Sequence, residues 1–291
     1  MADSWAIREE HGTPVSTKIM PPSGKSGSIG SGLWKNRQLI WQFTLRNVEI
    51  RHKGSHLGLL WSVLTPLLSF GLYLFVFGYI FGGKYNVVAT ETRMDYALGL
   101  FVSLAILNLV VEITATSPLL IVSQPNFVKK VVFPLEVLPA ASVGAAVFHF
   151  LISMSLGILG VAFAGPGLTW SALWMPVVIL PVILIAFGLA WFGSALGVFL
   201  RDVGQAAQFF GQVLIYASAV FYSHRIVPHS VWIFLRLNPL IHAVELSRNA
   251  LLWHRPIDLG YLAYLYAFGF AAFILGAVFF RKLKPTFADV I

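Results

Sequence analysis

From about residue 57 onward, long apolar runs alternate with short polar segments along the sequence. At a rise of about 1.5 Å per residue, a helix of roughly twenty residues crosses the hydrocarbon core of a bilayer, and most of these runs reach that length. The alternation typical of transmembrane β-strands is not seen. The pattern therefore predicts an all-α integral membrane protein with six transmembrane helices, at about residues 57–82, 96–122, 135–164, 173–200, 205–222 and 259–280.

The segment before the first run has the periodicity of a surface helix. Trp34, Trp41, Leu45 and Val48 recur at spacings of seven, four and three residues, so they share one helix face, and basic residues lie between them. With no soluble domain nearby for such a helix to pack on, we predict an N-terminal amphipathic interface helix over 33–51. A helix of a soluble core is the alternative.

Residues 1–30 mix charges with Gly, Ser and Pro without periodicity, and this composition predicts a disordered cytoplasmic tail. Within it, Gly24, Lys25 and Ser26 imitate the end of a phosphate-binding loop. That loop also needs a glycine where this chain has Ile19, and a strand leading into it, so a flexible linker is the better interpretation.

A charged stretch between the fifth and sixth runs breaks the apolar pattern. Its two apolar pieces, 231–237 and 240–252, are each too short to cross a bilayer. An Asn-Pro pair suits the start of a helix, and an acidic and a basic residue three positions apart can pair on it, with a histidine on the same side. We predict an outer re-entrant hairpin over 223–254, which protein or a water-filled cavity would have to cover. The side chains concerned are Asn238, Pro239, His242, Glu245 and Arg248.

Composition and charge agree with a membrane protein. Hydrophobic residues make up 57% and charged residues 11% of the chain, and the mean hydropathy is +0.78, which excludes an ordinary soluble domain. The chain has no cysteine, which excludes disulfides, thiolate metal sites and cysteine nucleophiles. On so apolar a chain, the net charge of +8 reflects orientation in the membrane rather than nucleic-acid binding. Most of the lysines and arginines fall on the side that holds both termini, so both termini are predicted to be cytoplasmic.

Several motifs occur in a characteristic order. They are RHKGSHLGLLWSVLTPLLSFGLYLFVFGYIF at the first span, SQPNFVKKVVFPLEVLPA after the second, RDVGQ before the fifth, YASAVFYSHRIVP at its end, and ELSRNALL after LNPL. Over about residues 33–285 this order resembles the type-2 ABC exporter permeases, and the first two motifs are similar to the branch that exports polysaccharides. The resemblance implies a permease transmembrane domain over 31–285 and a short cytoplasmic C-terminus at 286–291.

The same resemblance implies a half-transporter of the bacterial inner membrane. Two copies of the chain would form a channel at their interface, and two copies of a separate subunit would bind ATP and Mg²⁺, so no catalytic residue, metal or cofactor is expected in this chain. The expected cargo is a lipid-linked glycan. O-antigen is the first choice because the KGSxLGxLW pattern suits that branch, and capsular polysaccharide and teichoic acid follow.

The loop at 124–134 carries a short predicted helix. Its Pro-Asn pair suits a helix start and Pro134 stops the helix within about two turns. The resemblance implies that this is the coupling helix, which receives motion from the ATP-binding subunit. An ordinary loop whose lysines only set the topology is the alternative. The coupling candidates are Asn126, Phe127, Lys129 and Lys130.

Charged side chains in or beside the spans are further candidates. Placing the carboxylate of Glu112 at membrane depth costs free energy, so this side chain should face the protein interior or water. It would then either pair with a neighbouring helix or line the channel. Asn108, one turn earlier, and His149 in the third span are similarly open to either interpretation. Arg51 and Lys53 lie where anionic lipid headgroups or the diphosphate of a lipid-linked substrate would be, and the sequence does not separate these two.

Aromatic side chains, 14% of the chain, could stack on the apolar faces of sugar rings. The resemblance implies such contacts along the first and fifth spans, whereas lipid-facing or core positions are the alternative. The candidates for channel lining, including the carboxylate, are Trp61, Phe70, Tyr73, Phe77, Glu112, Phe221 and Tyr222.

Two other classes of membrane protein fit the sequence less well. A membrane glycosyltransferase or acyltransferase would need clustered carboxylates or histidines, but the acidic residues are scattered and no Asp-x-Asp pair occurs. An ion-coupled secondary transporter would show repeated halves with broken helices, and no internal repeat is visible.

Overall fold

The structure is a computed structural model that describes residues 29–129, 133–223 and 226–291. Every regular element in these ranges is helical. The α-helices are α1 (Ile29–Lys35), α2 (Arg37–His52), α3 (Trp61–Tyr73), α4 (Arg93–Thr116), α5 (Pro125–Lys129), α6 (Val137–Ala164), α7 (Met175–Phe199), α8 (Val203–Ala217), α9 (His229–Leu235), α10 (Pro239–Arg248), α11 (Leu259–Leu283) and α12 (Phe287–Val290). Helix α3 continues as a π-helix over Leu74–Ile80, and α10 continues as one over Asn249–Trp253.

Within the described ranges, five helical stretches are long and apolar enough to cross a membrane. They are Gly58–Ile80, Arg93–Leu119, Val137–Ala164, Trp170–Phe199 and Leu259–Val290. These correspond to the first four predicted spans and the sixth, and their bounds differ from the predictions mainly at the ends.

The remaining predicted span, 205–222, takes a different form. Its helix, α8, has 15 residues and ends at Ala217, so it is about 22 Å long and shorter than the roughly 30 Å hydrocarbon core. The chain then turns, with Ala219 in the left-handed region at φ 53°. The predicted helix end at residue 222 is therefore wrong.

Helix α4 lies at the centre of the bundle. It is almost entirely buried and packs against α6, α7, α8 and α10. Apolar residues cover all of its faces, as expected for a helix enclosed by other helices. Its first turn is fixed by a capping box in which Thr92 accepts from the backbone N–H of Asp95 at 3.1 Å and the Asp95 carboxylate accepts from that of Thr92 at 2.9 Å.

Helices α7 and α11 form the most extensive helix pair in the bundle. Their backbones come close at Gly188 and Gly276, where a Cβ at either position would clash with backbone atoms of the opposite helix. Small residues allow this approach, and close backbone packing drives helix association where both helices are apolar.

The predicted interface helix is present but broken. Helix α1 ends at Lys35 and α2 begins at Arg37, and α2 lies against α6. On α2, Val48 is buried against the bundle, whereas Trp41 and Leu45 are exposed, as is Trp34 of α1. Of the four residues that were predicted to share one face, Val48 thus packs on the protein and the three exposed ones do not. The location of this helix in the membrane interface stays a prediction.

The bundle has two ends. We call the end that carries α1, α5 and α12 the proximal end; here Lys284 of the chain's last segment forms an ion pair with Glu136 at 2.8 Å. We call the end that carries residues 82–91, 218–223 and 249–258 the distal end; here the Arg255 guanidinium donates to the carbonyl of Val87 at 2.9 Å. Of the tail predicted over 1–30, residues 1–28 lie outside the described residues, and residues 29 and 30 belong to α1, so the predicted boundary is two residues too late.

Helix α8 leads from the proximal to the distal end. Just before it, the ring of Phe199 lies 6.1 Å from that of Phe287 in α12. Just after it, the carbonyl of Val220 accepts a hydrogen bond from the Tyr85 hydroxyl at 2.7 Å. The 15-residue helix and the turn after it together cover this distance.

Candidate functional site

A cleft of about 400 Å³ opens between α2, α3, α4 and α6. It lies among apolar helices, yet hydroxyl, amide, imidazole and charged side chains line it together with aromatic rings. The lining residues include Arg51, Trp61, Ser62, Thr65, Ser69, Tyr73, Phe101, Asn108, Glu112, His149, Phe150 and Ser153. A cavity of this size lies within the range of sites that bind small molecules or parts of larger ones, about 300–1,000 Å³.

The polar side of the cleft comes largely from one face of the first span. Ser62, Thr65, Ser69 and Tyr73 follow one another at spacings of three and four residues, so they project from the same side of the helix. Sequence reasoning identified Tyr73 alone among these four. The periodicity of the hydroxyl groups within an otherwise apolar run was the signal that would have identified the others.

The proximal mouth of the cleft is closed by an ion pair. Nη1 of Arg51, at the end of α2, lies 2.5 Å from Oε1 of Glu112, one turn before the end of α4. The Arg51 side chain is 50% exposed and that of Glu112 30% exposed. Glu112 thus pairs with a neighbouring helix, one of the two roles that the sequence left open, and it also lines this cleft; its place in a channel stays a prediction. Lys53 is exposed in the turn after α2, and it is not among the residues that line the cleft.

The predicted aromatic candidates divide between the cleft and the distal end. Trp61 and Tyr73 line the cleft, and the ring of Phe70 packs against that of Phe101 in α4 at 5.4 Å. Farther along the first span, Phe77 lies 5.2 Å from Phe221.

Rings from the first span and from the segment after α8 therefore meet. Phe221 also lies 5.8 Å from Tyr216, and the Tyr222 hydroxyl donates to the carbonyl of Tyr216 at 3.0 Å. The series from Tyr73 through Phe77 to Phe221 runs from the cleft toward the distal end.

The turn after α8 is held by side chains from distant parts of the chain. The carbonyls of residues 217 and 219–221 accept hydrogen bonds from side chains of other segments. The donors are Asn238 to Ala217 at 3.1 Å, Arg248 to Ala219, Tyr85 to Val220 at 2.7 Å and Tyr96 to Phe221 at 2.9 Å. A broken helix at membrane depth needs such partners because lipid supplies none.

Arg248 is the most buried charged group of this arrangement. The side chain is fully buried; its Nε donates to the Ser103 hydroxyl at 3.0 Å, and its guanidinium lies 4.2 Å from the centre of the Tyr85 ring. The spacing allows an ion pair with Glu245, but no pair between these two side chains occurs in the described structure. Arg248 instead crosses to α4 and to the turn after α8.

Tyr85 is positioned by the short loop before α4. The buried carboxylate of Glu91 accepts from the backbone N–H groups of Tyr85 and Asn86, both at 2.8 Å. Burial raises the pKa of the Tyr85 phenol well above its usual range, although the nearby Arg248 guanidinium opposes this effect. The hydroxyl therefore remains a donor to Val220 at every physiological pH. No local sequence signal indicated Tyr85 or Tyr96, because the carbonyls to which they donate are more than a hundred residues away in sequence.

The start of α10 follows the prediction. Asn238 is the N-cap, its side chain accepts from the backbone N–H of Leu240 at 3.0 Å, and Pro239 is the first helical residue. His242 is buried, stacks on Tyr261 at 4.5 Å and contacts the carbonyl of Arg236 at 2.8 Å. All residues of α10 are buried, so the helix belongs to the interior of the bundle.

The predicted coupling segment forms α5 at the proximal end. The ring of Phe127 is half-buried in a cluster with Phe43 of α2 at 5.8 Å and Phe133 at 4.6 Å. It therefore packs within the chain, whereas Asn126 and Lys129 are exposed. Lys130 lies outside the described residues.

In the part of the chain that the structure describes, no three His, Asp or Glu side chains group closely enough to hold a metal ion.

Comparisons with known proteins complete this description. The sequence profile of one family, described as ABC-2 type transporter, matches residues 38–252. The chain is 27% identical over 256 residues to the O-antigen export system permease protein RfbA of Klebsiella pneumoniae, across 87% of this chain and 95% of that protein. A protein of the same name from Myxococcus xanthus is 25% identical across 89% of this chain and 97% of its own length. The polysialic acid transport protein KpsM of Escherichia coli is 22% identical across 86% and 95%.

Proposed function

The chain belongs to the ABC-2 type transporter family, and we propose that it is the permease subunit of an ATP-driven exporter of a lipid-linked polysaccharide. The cargo that we assign is O-antigen, moved from the cytoplasmic to the outer face of the bacterial inner membrane. The observation that carries this proposal is the similarity, over nearly the full length of both proteins, to permeases named for O-antigen export. The similarity to a polysialic acid transport protein makes a capsular polymer the second candidate.

We infer six crossings of the membrane. Both ends of the described chain lie at the proximal end: Gly32 and Leu33 of α1 line a pocket together with Glu136 and Arg281, and Lys284 pairs with Glu136. An even number of crossings is needed to return the chain to that end. With the five long helices, α8 and the turn after it supply the sixth, although the helix alone is short.

We assign the proximal end to the cytoplasm. Lys129 of α5 and the basic residues of the last segment, Arg281, Lys282 and Lys284, lie there, in agreement with the positive-inside rule. The exposed side of α5, with Asn126 and Lys129, is then available to a separate subunit that binds ATP and Mg²⁺. In this assignment Phe127 seats α5 on the permease and does not enter the partner.

A second copy of the chain is the other proposed partner. Few residues of the first span are fully buried, and about half of the residues of α8 are exposed. Both carry exposed rings, including Phe75 and Phe81 on the first and Phe209 and Tyr216 on the second. We assign these neighbouring faces to a dimer that encloses the channel. Because the chain has no cysteine, single cysteines at Phe75 or Phe209 would report this contact by cross-linking.

The distal end then faces the outside, and we assign α9 and α10 to a gate at the channel's outer mouth. Neither helix is long enough to cross a bilayer, at seven and ten residues. The hydrogen bonds from Asn238 and Arg248 to the turn after α8 connect this segment to the sixth crossing. Movement of that turn would therefore move α10.

Deletion of the gene in its native host, followed by complementation, tests the proposed function. We expect the complete lipid-linked polysaccharide to accumulate on the cytoplasmic side, and its identity separates O-antigen from capsule and teichoic acid. A membrane glycosyltransferase or acyltransferase would instead leave an incomplete polymer. Affinity purification should recover an ABC ATP-binding subunit with vanadate-sensitive ATP hydrolysis, and its absence would contradict the proposal.

A further inference from the structure

The ion pair between Arg51 and Glu112 lies at the mouth of the polar cleft, where the end of α2 meets α4. The two side chains come from different helices and both line the cleft, yet they meet directly at 2.5 Å. One guanidinium nitrogen, Nη1, is engaged on one carboxylate oxygen. A guanidinium has five N–H donors, so this pair leaves most of its donors for another acceptor.

The exposure of the pair indicates that it can open. With half of the Arg51 side chain and nearly a third of Glu112 accessible, the pair is weak, as exposed ion pairs generally are. Phosphate oxygens compete well for such a guanidinium because they carry more charge and match its planar fork. The competing ligand must attract Arg51 strongly enough to offset both the lost ion pair and the repulsion from Glu112.

We propose that Arg51 binds the diphosphate of the lipid-linked glycan and that Glu112 is a selectivity residue, which occupies Arg51 against the singly charged phosphodiesters of bulk phospholipids. This inference rests on the proposed function and names the part of the substrate that binds here. A diphosphate displaces the carboxylate, whereas a phosphodiester gains too little from the exchange. Specificity of this kind comes from an element that disfavours the wrong ligand.

The remainder of the cleft fits the neighbouring part of such a substrate. Beyond the ion pair, Asn108, Ser69 and Ser153 offer hydrogen-bonding groups, and Trp61 and Tyr73 offer rings. Sugar hydroxyls and the apolar faces of sugar rings need these two kinds of partner. The cleft therefore continues from a phosphate-binding mouth into a site for the first sugar residues.

The test uses the complete transporter, purified with its ATP-binding subunit and reconstituted in nanodiscs of phosphatidylethanolamine. Native mass spectrometry measures binding of a polyprenyl diphosphate and, separately, of phosphatidylglycerol, and stimulation of ATP hydrolysis is followed in parallel. We expect the wild-type protein to prefer the diphosphate clearly. Equal binding of phosphatidylglycerol would overturn the assignment of Arg51 to the substrate's diphosphate.

Three variants separate the two roles. Arg51→Gln should weaken diphosphate binding about tenfold or more, and Arg51→Lys should weaken it less because the charge remains. Glu112→Gln should strengthen the binding of both lipids by a similar factor, about two- to fivefold, in keeping with the release of an exposed ion pair, so that phosphatidylglycerol, which the wild-type protein excludes, binds measurably. Arg37→Gln, which removes the same charge from the exposed side of α2, is the matched control and should leave the binding of both lipids unchanged.

The double variant tests whether Glu112 acts through Arg51. In the Arg51→Gln background, Glu112→Gln should change the binding of either lipid much less than it does in the wild-type background. An equal effect in both backgrounds would overturn the selectivity role, as would the absence of phosphatidylglycerol binding to a well-folded Glu112→Gln protein. Size-exclusion profiles verify folding. Failure of the proposed function is a separate result, because a wild-type protein that does not restore polysaccharide export contradicts that function whatever the binding data show.

Discussion

Replacement of Arg248 tests whether the turn after α8 is held in place by side chains. Its Nε–H donates to Ser103 at 3.0 Å, Nη2 donates to the carbonyl of Ala219, and the guanidinium lies 4.2 Å from the Tyr85 ring. A hydrogen bond to a charged group contributes about 1.5–3 kcal/mol, and a buried cation–π contact about 2 kcal/mol. The alanine variant also leaves a cavity and a carbonyl without its donor, although it removes the cost of burying a charge. We expect Arg248→Ala to lower the free energy of unfolding by about 3–5 kcal/mol.

Two further variants separate the contributions. The methionine side chain in Arg248→Met fills most of the volume of the arginine but has no hydrogen-bond donor. This variant should therefore lower the free energy of unfolding by about 1–3 kcal/mol, the penalty for leaving the carbonyl unsatisfied. Arg248→Lys keeps the charge but cannot reach both acceptors, so it should not restore wild-type stability. Arg236→Ala removes an exposed arginine from the same segment and should change stability by less than about 0.5 kcal/mol.

The assay is unfolding of the purified chain in mixed micelles with increasing mole fractions of SDS, followed by circular dichroism. A loss below about 1 kcal/mol for Arg248→Ala would refute the argument that this side chain stabilises the turn. Equal losses for the alanine and methionine variants would instead show that the cavity contributes nothing and that the missing donors account for the effect.

Three further predictions follow from single contacts. Tyr85→Phe should lower the free energy of unfolding by about 1 kcal/mol at neutral pH. Because burial raises the pKa of Tyr85 in the folded chain, wild-type stability should fall above about pH 10, where this tyrosine ionises in the unfolded chain, and the variant should show a smaller fall. Gly188→Ala should lower the free energy of unfolding by more than about 1 kcal/mol in the same assay, because the added Cβ would clash with backbone atoms of α11. Gly71→Ala is the control and should leave stability nearly unchanged, because open space surrounds that position. Phe127→Ala should lower stability, while Lys129→Glu should leave stability unchanged and reduce export in the complementation assay; the reverse outcome would contradict our assignment of the two sides of α5.

The long spans could be predicted from the sequence because the thickness of the bilayer sets the length of an apolar helix. The cap of α10 could be predicted for a different reason: the asparagine and the proline act on the backbone within two residues of themselves. The bilayer thus sets the length of the spans, and interactions within a few residues set the start of α10. The all-helical class and the start of α10 were accordingly correct.

The end of α8 and the partner of Arg248 could not be predicted in this way. The helix gives way to a turn whose carbonyls accept hydrogen bonds from side chains of α4, of the loop before α4 and of α10. Arg248 reaches Ser103, which is 145 residues away in sequence, in preference to Glu245 on its own helix. Spacing on one helix indicates which side chains can meet, but a buried guanidinium is directed by all the acceptors that the tertiary fold brings within reach.

Arg51 and Arg248 show how exposure separates two roles of one residue type. Arg51 keeps half of its side chain accessible and has a single carboxylate partner, so water and other anions can replace that partner at little cost. Arg248 is fully buried with acceptors from three segments, so no solvent is present to compensate for a lost contact. Substitution at Arg51 should therefore change ligand binding more than stability, and substitution at Arg248 should change stability first. Equal losses of stability on substitution of Arg51 and of Arg248 in the unfolding assay would contradict this argument. Exposure would then not be what separates the displaceable contact of Arg51 from the fixed contacts of Arg248.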